Sequence, residues 1–269
     1  MFGDKIKINS GLEQIKNNFF TVSQSNIIYQ TRVTRKGIAI KTILLLLVSA
    51  LSAGMVYYSL SNYSLIDKLP LYLIFMPLLV TFISYRQGIS SVSSSKICSF
   101  VYSIFSGIPI GCVLNILKMQ YGNVILQLAA LALFSTFLIF LIVSYLYYNG
   151  SLALSADAPL LKNMYLIFFV LFGVETFYFF VLLFSGSQST WFSLFFNTFL
   201  TIPINFFFIC FSVVVLILHF NYVENMVMNS MPKKYEWQLS LVFVSLFISI
   251  FIRILNILIR LKSLFSEKD

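Results

Sequence analysis

Seven stretches of mostly apolar residues, each about as long as a bilayer is thick, divide the chain. They run from about Lys41 to Leu60, Leu69 to Tyr85, Ile97 to Leu117, Asn123 to Tyr148, Met164 to Phe184, Phe195 to Phe220 and Trp237 to Ile259. About 20 consecutive apolar residues carry a helix across a hydrocarbon core of roughly 30 Å. Backbone groups in lipid must find partners inside their own segment or in a closed barrel, and these phenylalanine-rich runs are far too long for barrel strands. The pattern predicts an all-α membrane protein, a bundle of seven transmembrane helices. Connecting stretches are short, so no second folded domain is expected outside the bilayer. The expected division is a cytoplasmic tail over 1–36, a membrane domain over 37–262 and a short polar tail over 263–269.

Composition sharpens this. Hydrophobic residues make up 59% of the 269 and charged residues 10%, against about 25% charge in an ordinary soluble domain, so the surface cannot be wetted all round. The net charge of +9 is not the footprint of a nucleic-acid-binding protein, because the basic residues cluster in the tail and at segment ends. Arg32, Arg35, Lys36 and Lys41 precede or open the first segment, and Arg86, Lys96, Lys162, Lys233 and Lys234 fall in loops on the same side. Opposite loops hold Lys68 and Lys118. This asymmetry places the N-terminus in the cytoplasm and the protein, multi-pass, in the cell inner (plasma) membrane. Arg260, Lys262 and Lys268 dissent: either the last segment turns back within the membrane, or the earlier segments overrule them. No signal peptide is expected, since mostly polar and basic residues precede the first apolar run. Leu12, Ile15 and Phe19 have the spacing of a weak apolar stripe for a helix on the membrane surface. A flexible tail is the preferred reading.

Little in the chain points to an enzyme. There is one histidine, no phosphate-binding glycine loop, no HExxH and no pair of carboxylates within a span. The three cysteines, Cys98, Cys112 and Cys210, lack metal-ligand spacing, so no metal or other cofactor is expected. In "GIPIG", Gly107 and Gly111 have the GxxxG spacing that lets a second helix approach closely, and Pro109 bends the segment.

Charges inside the spans say more. Glu175, in "LFGVETFYFF", and Arg253, in "LFISIFIRILNIL", stand well within apolar runs. An isolated charge at mid-bilayer costs at least ~2.5–3.5 kcal/mol on insertion scales, so such groups pair or line water. With a 1.5 Å rise per residue the two levels differ by roughly 7–8 Å, within reach of two long side chains. Glu175 is thus the expected counter-ion of Arg253, either as a fastener between helices or as part of a charged gate. Asn205 and Asn256 are expected to supply interhelical hydrogen bonds or to line a polar cavity. His219, next to last in the sixth segment, is expected at headgroup level, or as a titrating group at the inner mouth.

The last two segments resemble a known family. "YVE" (residues 222–224), "MPKKYEW" (231–237) and the spacing between them resemble the end of the Bax inhibitor-1/YccA family, in its bacterial branch with a long N-terminal tail. "GIAIKTILLLL" looks like that family's first helix, "YGNVILQLAAL" like the start of its fourth, and "SGIPIG" stands in place of a Glu-Gly element in its third. The resemblance covers roughly Thr34 to Leu261. It implies a seven-helix bundle with the last helix central. It also implies either proton-sensitive calcium leak or a non-conducting role, binding other membrane proteins in quality control and stress response; the ions expected as partners are proton, calcium or a monovalent ion. Where leak-competent relatives carry acids, this chain aligns His219 and Asn221 in the sixth helix, Arg253 in the seventh and Ser106 in the third. Divalent cations need oxygen ligands and are repelled by arginine, so these replacements argue against calcium passage.

Overall fold

Of the seven expected spans, six helices lie among the residues described by the computed structural model, which are 32–62, 72–149 and 201–266. In chain order they are α1 (Arg35–Asn62), α2 (Tyr72–Ser90), α3 (Ser95–Tyr121), α4 (Val124–Tyr148), α5 (Thr201–Met228) and α6 (Tyr235–Ser266). Five of them, over Arg35–Ser61, Ser95–Met119, Val124–Tyr148, Ile202–Met228 and Tyr235–Ser263, are long and apolar enough to cross a membrane. The sixth, α2, has 19 residues and holds Pro77. The expected fifth span, with Glu175, and residues 1–31 of the tail lie outside the described residues.

The turns follow from local chemistry. Between α3 and α4 the chain reverses at Gly122, whose φ of 63° and ψ of −150° admit no side chain without strain. Its N–H closes α3 on the Lys118 carbonyl at 2.8 Å. The α5–α6 connection ends α5 with Ser230 in the left-handed region, φ 52°. Ser230 N–H then reaches Val227 O, and Met231 N–H reaches Met226 O. This is the paired closure of a Schellman motif, and Pro232 prevents the helix from resuming.

α6 packs against each of the other five described helices. Its 32 residues form one unbroken helix, ~48 Å at 1.5 Å per residue, so it does not turn back within the membrane. Leu241, Val244 and Ile250 on it have no exposure. Three apolar clusters surround it. Leu216, Ile217, Leu239 and Phe243 gather with Val143 near the N-terminal end of α6. Leu45, Tyr102, Leu241 and Val244 form a second cluster. Ala132, Ile250, Ile254 and Leu255 form the third, toward the far end. Bulky apolar side chains such as Ile43, Leu47 and Leu51 on α1 and Phe134, Phe137 and Leu141 on α4 point outward, as a lipid surround requires.

α1 and α3 meet almost backbone to backbone. A methyl group at Gly107 would run into Ser52 Oγ and the Ser49 carbonyl oxygen, and one at Gly111 into the Ala53 carbonyl oxygen and Val56. Close approach of this kind replaces the hydrophobic drive that helices lack inside lipid. Overpacking such a contact typically costs ~1–3 kcal/mol. Gly107→Leu and Gly111→Leu are therefore expected to lower the thermal midpoint of the detergent-solubilised protein clearly. Gly54→Ala, at a position with nothing within 4 Å of the added methyl, should leave it unchanged or higher.

Candidate functional site: the two charged ends of the last helix

Along α6, Ser245, Ser249, Arg253, Asn256 and Arg260 recur at steps of three and four, which sets them on one face. That face borders a cavity of about 730 Å³, walled by α2, α3 and α6. Ser106 of α3 lines the same cavity, shares a hydrogen bond with Ser49 at 3.3 Å and donates to the Ser103 carbonyl at 3.1 Å. Arg253 is half-buried. Its Nη1 donates to Asn205 Oδ1 of α5 at 3.2 Å, and its guanidinium lies 4.1 Å from the centroid of the Phe208 ring. Asn205 itself has no exposure. The structure thus brings Asn205 to Arg253 and sets Ser106, Arg253 and Asn256 along one cavity. The expected partner Glu175 lies outside the described residues.

His219 and Asn221 are elsewhere. α5 continues two turns past the point where its apolar run stops, and His219 is buried between it and the first turns of α6. It is 8% exposed, with Nε2 at 3.0 Å from the Leu239 carbonyl and its ring edge-on to Phe243. Asn221 lines a second cavity, of about 800 Å³, together with Arg35 and Glu224, which form an ion pair between α1 and α5.

The opposite end of α6 holds a charge that sequence reasoning passed over. Glu236, in the first turn, has no exposure. Its Oε2 lies 2.6 Å from Lys41 Nζ, and its Oε1 accepts from Thr34 N at 2.9 Å and Thr34 Oγ1 at 3.0 Å. Gly37 presses against the carboxylate so closely that any side chain there would strike both of its oxygens. Ser240 Oγ, one turn on, donates to the Ile38 carbonyl at 3.0 Å. Lys41 also stands 4.7 Å from the centre of the Trp237 ring. The segment leading into α1 is fastened to the same place, since Val33 N donates to Met231 O at 2.9 Å and Arg32 bridges to Pro232. A carboxylate in a helix's first turn is favoured by the backbone dipole, and here it also receives a cation and two neutral donors.

Gly37, Ile38 and Lys41 of this cluster come from "GIAIK", and Glu236 and Trp237 from "PKKYEW", two of the stretches with a family resemblance. The family model described as Bax inhibitor 1 like matches residues 12–263, nearly the whole chain. The chain belongs to the Bax inhibitor 1 like family. No curated protein and no solved structure matches it. Family membership and five long apolar helices together make this a multi-pass membrane protein. In this Bax inhibitor 1 like chain the first and last helices are tied by a buried ion pair, and an arginine-bearing polar face lies farther along the last helix.

Removing one partner of a buried ion pair strands the other, at a typical cost of ~3–5 kcal/mol. Glu236→Gln alone and Lys41→Gln alone should each lower the thermal midpoint in detergent. The double substitution should be milder than the sum, because neither charge is stranded. Strict additivity in that cycle would show that the pair does not couple.

Proposed function

We propose that the polar face of α6 lines a path through which small ions pass, or by which their passage is regulated, in a seven-span protein of the cell inner membrane. The observation that carries this reading is the cavity beside Ser245, Ser249, Arg253 and Asn256, a polar stripe set against α2 and α3 at a depth where side chains are usually apolar. Polar groups inside membrane helices are costly and usually mark a pathway or a proton relay. The seventh crossing is supported by the course of the chain. α4 and α5 both bring their C-terminal halves to the cluster around Leu239 and Phe243, so α4 ends and α5 begins at opposite faces. The apolar segment from Met164 to Phe184 has the length to connect them. A cytoplasmic N-terminus is supported by Arg35, Lys36, Arg86, Lys96, Lys233 and Lys234, which share one end of the bundle, against Lys118, Arg260 and Lys262 at the other.

Calcium is a poor candidate for this path. By the family resemblance, His219, Asn221 and Arg253 replace acids, and a divalent cation without carboxylates has little to replace its water. Catalysis is no part of the proposal, because among the described residues no nucleophile, base and orienting group meet on the polar face.

The test is flux from liposomes holding the purified protein, measured across about pH 5 to 8. Flux of a proton or monovalent ion, with none for calcium, is the expected result. Absence of flux for every ion at every pH would overturn the reading and favour a protein that acts by binding other membrane proteins.

A further inference from the structure

α1 and α4 each pack on α6 but scarcely on one another. The gap between them is the cavity of about 800 Å³ that holds the Arg35–Glu224 pair at one end. Phe243 and Phe247 of α6 form its floor. Phe140 of α4 and Phe220 of α5 pack on the Phe243 ring at centroid distances of 5.7 and 5.1 Å, which closes the gap toward the bundle interior. Its outer side is open. Ile43 on α1 and Phe137 and Leu141 on α4 line it, and each is more than half exposed. Thr42, on the α1 wall, spends its hydroxyl on the Ile38 carbonyl at 2.9 Å. In a protein that crosses the membrane, an apolar gap open to the side faces hydrocarbon and not water.

Its depth fits one leaflet. Along α1 the gap runs from Arg35 to Leu46 and along α4 from Tyr148 to Phe137, eleven residues in each case, or ~16 Å. Half of a hydrocarbon core is ~15 Å. The charged end then lies at headgroup level, where Tyr147 and Tyr148 also stand, as aromatic side chains do at a membrane surface. The ion pair there suits a headgroup of both signs. Arg35 and Glu224 meet through Nη2 and Oε1, whereas a guanidinium has five N–H donors and a carboxylate two oxygens. The Arg35 side chain is 57% exposed and that of Glu224 25%, so both can be approached from the membrane surface while the pair stays intact.

We propose that this gap is a binding site for one ethanolamine phospholipid of the leaflet at the Arg35 end. An acyl chain lies between α1 and α4 on Phe243 and Phe247, the phosphate meets Arg35, and the ammonium donates to Glu224. Phosphatidylethanolamine offers both signs together with N–H donors. Phosphatidylglycerol has no cation for Glu224, and the quaternary ammonium of phosphatidylcholine has no N–H to donate. The site stands apart from the polar face read as an ion path, since among the described helices the two cavities share only α6.

Native mass spectrometry of the full-length protein counts the lipids it retains. The protein is delipidated in detergent and titrated in turn with phosphatidylethanolamine, phosphatidylglycerol and phosphatidylcholine of the same acyl chains. One retained phosphatidylethanolamine is expected, with the other two lipids held several-fold more weakly. Ala39→Trp, which fills the gap from the α1 wall, should cut retention roughly tenfold. Leu141→Trp, from the α4 wall, serves if that variant does not fold. Leu47→Trp, at a position that points outward from α1 and does not line the gap, should leave retention unchanged. Glu224→Gln should bring phosphatidylethanolamine down to the level of phosphatidylcholine, and Arg35→Gln should weaken all three lipids. The proposal is overturned by a wild type that retains no lipid, by equal retention of the three lipids, or by tryptophan variants at 39 and 141 that bind as the wild type does. A doubled mass that Ala39→Trp returns to a single chain also overturns it, and would put a second copy of the chain in the gap.

Discussion

A carboxylate sealed from water has to be neutralised or shared, and Glu236 is shared. Lys41 supplies the charge and Thr34 supplies two hydrogen bonds, so the start of the first described helix and its entry segment are drawn onto the first turn of the last one. Much of the arrangement at that end follows. Gly37 is needed because no side chain fits between α1 and the carboxylate, and Ser240 continues the contact one turn deeper. Lys41 is shielded by the face of Trp237, and Phe100 of α3 packs on the same ring at a centroid distance of 5.4 Å. The pair thereby joins α1, α3 and α6 at one point. In lipid, where burial of apolar surface gives helices little reason to associate, such polar ties and close glycine contacts decide which helices are neighbours.

With one end of α6 fixed by a compensated negative charge, the far half of the same helix carries positive ones. From Glu236 to Arg253 is ~25 Å along the axis, most of the thickness of a hydrocarbon core. The two ends differ in surroundings as well as in sign. Glu236 is enclosed by donors and has no exposure, whereas Arg253 is half-buried beside a cavity. His219 belongs with the Glu236 end, bonded to the Leu239 carbonyl and covered by Phe243.

Run lengths in the sequence made the helices legible, but not where the helices end. The sixth apolar run stops at Phe220, yet α5 goes on to Met228. A hydrophobic run records how far lipid extends, while a helix ends where its backbone bonds find another partner, here the Schellman closure at Ser230. That difference is why the burial of His219 against α6 could not be read from the end of the apolar run. Arg253 could be singled out because a lone arginine breaks an apolar run. Glu236 could not, because it sits beside Lys233, Lys234 and Tyr235 in what reads as a polar loop, and its partner is 195 residues away.

The sequence by itself determined that this chain is a helical membrane protein of Bax inhibitor 1 like kind, since apolar run length and motif order are properties of the linear chain. It also determined that Arg253 needs partners, since the cost of an unpaired guanidinium in lipid does not depend on the fold. Only the tertiary structure decided that Asn205 and Phe208 are among those partners, that Glu236 is the buried acid tying α1 to α6, and that Arg260 faces the same cavity as Arg253. Partnership between distant residues is fixed by which helix faces meet, and a close-packing signal such as Gly107 and Gly111 marks a face without naming the helix that will meet it.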